Sequence, residues 1–199
     1  VKREVEGLAA VLRVNKQREY MGLPTSEAIS HYVFSGPPGT GKTTVARILG
    51  DVLKSLGYLS KGQFIETDRS GLVGRFLGET GVKTQNIVDS ALGGVLFIDE
   101  AYTLSPINDL DSYAQEAVAT LIKLMEDRRN EFVVIAAGYG PEMERFLAAN
   151  PGVNSRFSEH IRFKSFTSAA LSEIFSGLMA TSEFIADEET IRGVSVALE

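Results

Sequence analysis

The sequence predicts an α/β protein organised around a parallel β-sheet. Short segments rich in branched and aromatic residues alternate along the chain with longer helical segments. Two of the short segments carry the strongest evidence. Residues 31–35 precede a glycine-rich loop, and residues 95–98 form an uninterrupted apolar run that ends in two carboxylates. Such a run is typical of a strand that is buried on both faces of a parallel sheet.

The glycine-rich loop fits the pattern GxxxxGK(S/T) of phosphate-binding loops, and it lies between a predicted strand and a predicted helix. Its glycines allow several backbone N–H groups to point at one polyphosphate, and the following helix adds the positive end of its dipole. We expect Lys42 to reach the outer phosphates and the Thr43 hydroxyl to bind Mg²⁺. The residues predicted to bind the nucleotide are Gly36, Pro37, Pro38, Gly39, Thr40, Gly41, Lys42, Thr43 and Thr44.

Asp99 and Glu100 follow the apolar run at its carboxyl end, where open α/β sheets bind their ligands. Successive strand residues point to opposite faces, so the two carboxylates can have different tasks. We expect Asp99 to hold Mg²⁺, commonly through water, and Glu100 to orient and polarise an attacking water molecule. The alternative is an acidic first turn of a helix, which the phosphate-binding loop upstream makes the weaker interpretation.

The other segments extend the same alternation of strands and helices. The predicted elements are helix 4–20, strand 31–35, helix 43–56, strand 63–67, helix 82–92, strand 95–98, helix 112–126, strand 132–137, a short helix opened by Pro141, and strand 160–163. The apolar face of the 112–126 helix is assigned to the core. No strand pattern follows residue 165. We therefore predict an α/β subdomain over residues 1–165 and the beginning of a helical subdomain over residues 166–199.

Composition restricts the class of protein. A hydrophobic content of 44% and a charged content of 23% are ordinary for a globular protein. The absence of cysteine and of any apolar run that could span a membrane leads us to expect a cytoplasmic protein without membrane insertion. The net charge of −6, with lysines and arginines scattered, argues against a nucleic-acid partner. We interpret the chain, which lacks an initial methionine, as part of a longer polypeptide.

The phosphate-binding loop and the Asp99-Glu100 pair resemble the Walker A and Walker B motifs of AAA+ ATPases. Within that superfamily the chain resembles the CbxX/CfqX group, which includes red-type Rubisco activase, a sporulation-associated ATPase and the EccA ATPase of type VII secretion systems. The resemblance extends over nearly the whole chain, and the run from Gly78 to Leu92 is most similar to the type VII secretion branch. The stretches that are most specific to the CbxX/CfqX group are residues 72–80, 94–102, 124–127, 137–139 and 150–157.

The resemblance implies a P-loop NTPase fold with a five-stranded parallel sheet and a helical lid after it. It also implies ATP as the nucleotide and a homo-oligomeric ring, usually of six subunits, with nucleotide at each interface. Arg156 matches the arginine finger that reaches the γ-phosphate of the neighbouring subunit. A guanidinium suits this role because it is always charged and can fork onto phosphate oxygens. The alternative is a surface arginine that pairs with an acid.

Phe76, Leu77 and Gly78 match the pore loop with which such rings grip a protein substrate. Without the resemblance, Phe76 would be interpreted as a loop aromatic that folds back onto the core. Many AAA+ proteins place a polar sensor residue after the strand that precedes the finger. Here Tyr139 is the candidate sensor, as in the CbxX/CfqX group, and the second sensor arginine would lie in the lid beyond this sequence.

The predicted activity is hydrolysis of ATP to ADP and phosphate, coupled to remodelling or translocation of a protein, with type VII secretion as the favoured pathway. One alternative is a remodeller similar to Rubisco activase. Another is a nucleotide-gated assembly module with negligible turnover. A small-molecule kinase is disfavoured because the Asp99-Glu100 pair suits water as the acceptor.

Overall fold

The computed structural model describes residues 2–24, 30–105 and 111–182. Within these residues a single sheet is formed by β1 (Tyr32–Ser35), β2 (Phe64–Thr67), β3 (Val95–Ile98), β4 (Val133–Gly138) and β5 (Glu159–Arg162). The strand order is β2-β3-β4-β1-β5, and every adjacent pair is parallel. The prediction of a five-stranded parallel sheet is therefore confirmed.

Helices cover both faces of this sheet. The α-helices in the described residues are α1 (Lys2–Tyr20), α2 (Lys42–Ser55), α3 (Arg69–Leu72), α4 (Glu79–Ala91), α5 (Ser112–Asp127), α6 (Gly140–Ala149), α7 (Pro151–Asn154) and α8 (Ser168–Thr181). A 3₁₀ turn, the 101–104 turn, spans Ala101–Leu104. The predicted helix 82–92 begins three residues earlier than expected, because Gly78 adopts a left-handed conformation (φ +83°) and starts the helix at Glu79.

Alternation along the strands divides the core into two clusters. One cluster joins Leu96 and Val134 to buried residues of α3 to α7. The other joins Val95 and Val133 to Leu12 of α1 and to buried residues of α2. Because β3 and β4 are covered on both faces, all their side chains are buried, which explains their continuous apolar runs.

The strand order brings particular loops together. Because the strands are parallel, all of their carboxyl ends lie at one edge of the sheet, and β4 lies between β1 and β3. The loops that follow β1, β3 and β4 are thus neighbours at this edge. Open α/β sheets bind ligands at this position.

The chain divides after Phe163 into two compact units, residues 1–163 and 164–199. The structure describes the second unit as far as residue 182, and there Thr167 accepts a hydrogen bond from the N–H of Ala170 (3.3 Å) at the start of α8. The predicted boundary at residue 165 and the assignment of a lid remain predictions, and the lid residues 183–199 lie outside the described ranges. No helix in the described residues has the length and apolar character needed to cross a bilayer.

Candidate functional site

Loop 36–41 leaves β1 in close contact with the backbone of other strands. The N–H of Gly36 donates to the carbonyl oxygen of Gly138, at the end of β4 (3.0 Å). A Cβ atom on Gly36 would overlap the carbonyl oxygen of Phe163. Glycine is therefore needed here for space.

The turns within the loop have a different requirement. Gly39 (φ +69°) and Gly41 (φ +84°) adopt left-handed conformations that would be strained in any residue with a Cβ atom. Between them the buried Thr40 donates its hydroxyl hydrogen to the carbonyl oxygen of Pro37 (2.8 Å). The loop is thus held in one shape by its own residues, with its concave side open.

Lys42 begins α2, and its ammonium group folds back over the loop. Nζ donates to the carbonyl oxygens of Gly36 (3.0 Å) and Pro37 (2.8 Å). Desolvation lowers the pKa of Lys42 from its ordinary value, and the carboxylate of Asp99 opposes that shift. An ammonium group has three donors, so one remains for an oxygen atom in the open side of the loop.

A cleft of about 400 Å³ lies at this edge of the sheet. Residues 38–39 and 41–44 line it together with Asp99, Glu100, Gly138 and Tyr139. The structure thus brings most of the predicted nucleotide-binding residues together with both predicted carboxylates and the candidate sensor. Gly36, Pro37 and Thr40 lie behind the lining and shape the loop.

The two carboxylates owe their arrangement to the backbone that follows β3. Asp99 donates its N–H to the carbonyl oxygen of Thr67 (2.8 Å), and one of its carboxylate oxygens accepts the N–H of Glu100 (3.0 Å). Glu100 has φ +46° and ψ +43°, a left-handed conformation that is uncommon outside glycine. Strand alternation predicts that Asp99 and Glu100 point in opposite directions. This reason is wrong for Glu100, because β3 ends at Ile98. The left-handed turn sets the direction of Glu100 instead.

Tyr102, which was not predicted as a site residue, lies in the 101–104 turn that follows Glu100. Its ring is 5.9 Å from the ring of Tyr139, measured between centroids. Desolvation raises the pKa of Tyr102, and a hydrogen bond and charge interaction with Glu100 add to the shift. A Cβ atom on Gly138 would come within 2.7 Å of the Tyr102 ring. The sequence signal for Tyr102 is its position two residues after Glu100, and no periodicity singles it out.

Arg156 does not line the cleft of its own chain. It follows α7, and Nη2 lies 3.3 Å from Oε2 of Glu126 in the last turn of α5. Nη1 makes two further contacts, to the carbonyl oxygen of Gly152 and to Oγ of Ser155, both at 3.3 Å. Nε is buried and has no partner among the described residues. Three contacts of 3.3 Å thus hold the guanidinium outside the lining of the cleft.

His31 lies near Arg156 and is packed within the core. Its Nδ1 accepts the N–H of Val134 (3.0 Å), and its ring packs near Phe132 and Phe157, with centroids 6.0 and 6.1 Å away. Desolvation, aided by the positive charge of Arg156, lowers the pKa of His31 to about 4. His31 is therefore neutral near pH 7.

The predicted pore loop, residues 76–78, is part of loop 73–78, which connects α3 to α4. The side chains of Phe76 and Leu77 are 69% and 88% exposed. The alternative in which Phe76 folds back onto the core is therefore wrong.

Three comparisons relate the chain to known proteins. A family model described as "ATPase family associated with various cellular activities (AAA)" matches residues 32–165. The chain is 43% identical over 200 residues to a CfxQ homolog of Galdieria sulphuraria, covering 100% of this chain and 64% of that protein. It is 42% identical over 189 residues to stage V sporulation protein K of Bacillus subtilis, covering 95% of this chain and 58% of that protein.

A third relative is the chloroplastic ribulose bisphosphate carboxylase/oxygenase activase of Cyanidioschyzon merolae, 46% identical over 168 residues, which are 84% of this chain and 57% of that protein. The chain therefore spans 57–64% of the length of these three relatives. Among solved structures, a variant of Thermotoga maritima RuvB superposes with a TM-score of 0.62 and 22% identity, covering 92% of this chain and 52% of that one. At this identity the likeness shows the fold alone.

Proposed function

Because the chain belongs to the AAA family of ATPases, within the CbxX/CfqX group, we propose that it hydrolyses Mg-ATP in the cleft and uses the energy to remodel a protein substrate within a ring of identical subunits. One observation carries this proposal. Lys42, Thr43, Asp99 and Glu100 line a single cleft, whereas Arg156, which completes the same chemistry, lies outside it. The cleft therefore has groups for binding and for water activation, and among the described residues Lys42 is the one cationic side chain that lines it.

The residues of the cleft fit the polyphosphate of ATP. Left-handed glycines suit a loop whose N–H groups converge on phosphates, and the remaining donor of Lys42 is available to an outer phosphate. Mg²⁺ is commonly held by one or two protein oxygens together with substrate phosphates. The Thr43 hydroxyl and the Asp99 carboxylate supply that set. When bound, Mg²⁺ neutralises charge that develops on the phosphate oxygens.

Glu100 is the group that acts on water. Its carboxylate accepts a proton from the water that attacks the γ-phosphorus, while the bond from that phosphorus to the β-phosphate oxygen breaks. Glu100 has a left-handed backbone and lines the cleft, and its charge acts on Tyr102, two residues later. Tyr139 lines the cleft, with its ring 5.9 Å from that of Tyr102, and is the proposed sensor of the nucleotide.

The position of Arg156 supports the proposal of a ring. A guanidinium is always charged, and stabilising the charge of phosphoryl transfer is among the largest effects that one residue can have on this reaction. Arg156 is 28% exposed and does not line its own cleft, so it can serve the cleft of a neighbouring copy. A homo-hexamer is the closed form that we propose, in keeping with the family.

The substrate is a protein, which the exposed Phe76 and Leu77 contact as the subunits shift. The likeness to a Rubisco activase supports a remodeller of protein complexes. The type VII secretion pathway remains a prediction from residues 78–92, with no comparison that supports it over the activase-like alternative.

The test is ATP hydrolysis per subunit as a function of the concentration of the full-length protein. We expect the specific activity to rise with concentration, and Arg156→Ala to lower it by about three orders of magnitude. Arg145→Ala is the control, because Arg145, like Arg156, is an arginine paired with a glutamate, in this case Glu142 (2.9 Å). A low rate that changes neither with concentration nor with Arg156→Ala would contradict shared sites and favour the assembly module.

A further inference from the structure

Loop 73–78 has a backbone that is held in place before any substrate arrives. Oε2 of Glu79 accepts the N–H groups of Arg75 and Phe76, both at 3.1 Å. The buried hydroxyl of Thr80 accepts the N–H of Gly74 (3.0 Å). Gly74 is packed so tightly that an added Cβ atom would come within 2.6 Å of Cβ of Glu79. A segment ordered in this way loses little conformational entropy when it binds a partner.

The charged side chains around the loop differ in whether they are already hydrogen-bonded to the backbone. Glu79 directs a carboxylate oxygen at the backbone, as described above. Lys83 directs Nζ inward, to the carbonyl oxygens of Ser70 (2.6 Å) and Val73 (3.0 Å). Arg75 is exposed, and its guanidinium makes no hydrogen bond or ion pair with the part of the chain that the structure describes. Lys83 therefore keeps one of its three donors, whereas all the guanidinium donors of Arg75 are available beside Phe76.

Arg75 also borders a depression of about 490 Å³ between α3, α4 and the 101–104 turn. Arg69 and Lys83 line it with Arg75, against the carboxylates of Asp68 and Glu100. Asp68 is already engaged, because its Oδ1 accepts hydrogen bonds from Ser70 and Gly71. Arg69 is paired with Asp111 (2.8 Å), and Lys83 turns its Nζ toward backbone carbonyl oxygens. Among the described residues, Arg75 is therefore the cation at this depression that is free to attract an acidic group.

We propose that loop 73–78 binds protein segments in which acidic side chains alternate with apolar ones, and that Arg75 sets this preference. This inference rests on the proposed function, since it names the class of segment that the ring grips. Arg75 and Phe76 are adjacent, and an extended chain advances about 3.3–3.6 Å per residue. An apolar residue of the substrate that contacts Phe76 thus brings its neighbours within reach of the guanidinium, which forks onto carboxylates.

The experiment measures binding of labelled, unstructured peptides to the full-length protein by fluorescence anisotropy. Three peptides of about 20 residues share the same Leu and Phe positions and carry Glu, Gln or Lys between them, in a non-hydrolysable ATP analogue at about 0.15 M salt. The Glu peptide should bind about fivefold more tightly than the Gln peptide, and the Lys peptide most weakly. Arg75→Gln should remove the advantage of the Glu peptide, and Arg75→Glu should make the Lys peptide the tightest.

Two further variants separate this inference from the proposed function. Arg13→Glu makes the same charge change on α1, which packs on the opposite face of the sheet, and it should leave the order of the peptides unchanged. Phe76→Ala should weaken all three peptides alike. If Arg75→Glu leaves the order unchanged while Phe76→Ala still weakens binding, the charge preference is overturned and the proposed function stands. If none of the peptides binds with or without nucleotide, both are overturned.

Discussion

Two residues, Glu100 in the cleft and His31 near Arg156, occupy surroundings that are unusual for their side-chain types. Glu100 has a left-handed backbone, which costs conformational free energy in any residue with a Cβ atom and is found mainly where function requires it. His31 is a titratable residue within an aromatic part of the core, where it accepts a backbone hydrogen bond that water would otherwise satisfy. Glu100 lines the cleft, and His31 lies close enough to Arg156 for the positive charge of Arg156 to lower the pKa of His31.

His31 should make the stability of the fold depend on pH below neutrality. Its pKa is about 4 in the folded chain and 6.5 in the absence of structure. Above pH 6.5 both states are neutral and His31 adds no pH dependence. As the pH falls from 6.5 to 4 the unfolded chain takes up the proton first, so the free energy of unfolding should decrease by about 3 kcal/mol in total.

Urea unfolding at several pH values tests this expectation. His31→Gln should lower stability near pH 7, because the acceptor for Val134 is displaced, and it should remove this part of the pH dependence. His160→Gln is the matched control, since His160 is exposed on β5. An identical pH dependence in the parent protein and in His31→Gln would contradict the assignment.

At the scale of elements, the loops at the carboxyl edge are held together by side chains of their neighbours. Arg69 of α3 donates from Nη1 to the carbonyl oxygen of Thr103 in the 101–104 turn, and from Nη2 to Oδ2 of Asp111, both at 2.8 Å. Asp111 in turn accepts the N–H of Ala114 and caps α5. Arg69 thus joins the 101–104 turn, which follows Glu100, to α3, which leads into loop 73–78.

Loop 73–78 should lose its order when Glu79 is changed. Glu79→Ala removes the acceptor for two backbone N–H groups, and a hydrogen bond to a charged group contributes about 1.5–3 kcal/mol. Hydrogen exchange at Arg75 and Phe76 should therefore accelerate by at least about tenfold. The core is not involved, so the melting temperature should change little. Glu6→Ala on α1 is the control, and equal exchange rates in Glu79→Ala and Glu6→Ala would show that Glu79 does not order the loop.

At the scale of the whole molecule, the proposed division of catalytic groups between the cleft and Arg156, which lies outside it, would make assembly part of the chemistry. The contacts of Arg156 with Glu126, Gly152 and Ser155 are all 3.3 Å long. Such contacts on a partly exposed side chain are weak, so a stronger ligand, such as the phosphates of a neighbouring subunit, can replace them.

Mixing two inactive variants should restore ATP hydrolysis. Subunits with Glu100→Gln keep a normal Arg156, and subunits with Arg156→Ala keep a normal Glu100. Some interfaces in a mixed ring then combine an intact cleft with an intact arginine. We expect equimolar mixtures to recover about a quarter of the normal rate, since the two required subunits meet in about one interface in four under random assembly. Activity equal to the sum of the separate variants would argue that each chain acts alone.

The sequence by itself determined the features that depend on neighbouring residues. The phosphate-binding loop is a continuous stretch whose glycines are required by its own backbone, and the runs that became β3 and β4 are apolar because both faces of those strands are covered. Elements of a single turn, such as α3, α7 and the 101–104 turn, were not predicted because four residues have no periodicity.

Only the tertiary structure decided which of these features meet. The strand order places the ends of β1, β3 and β4 side by side, so Lys42 and Glu100 share a cleft although 58 positions separate them in the printed sequence. It also pairs His31 with Val134 and Arg156 with Glu126, which are 103 and 30 residues apart. Local periodicity carries no information about such pairs. They form because packing the apolar faces of helices onto one sheet brings the polar groups at its edge together.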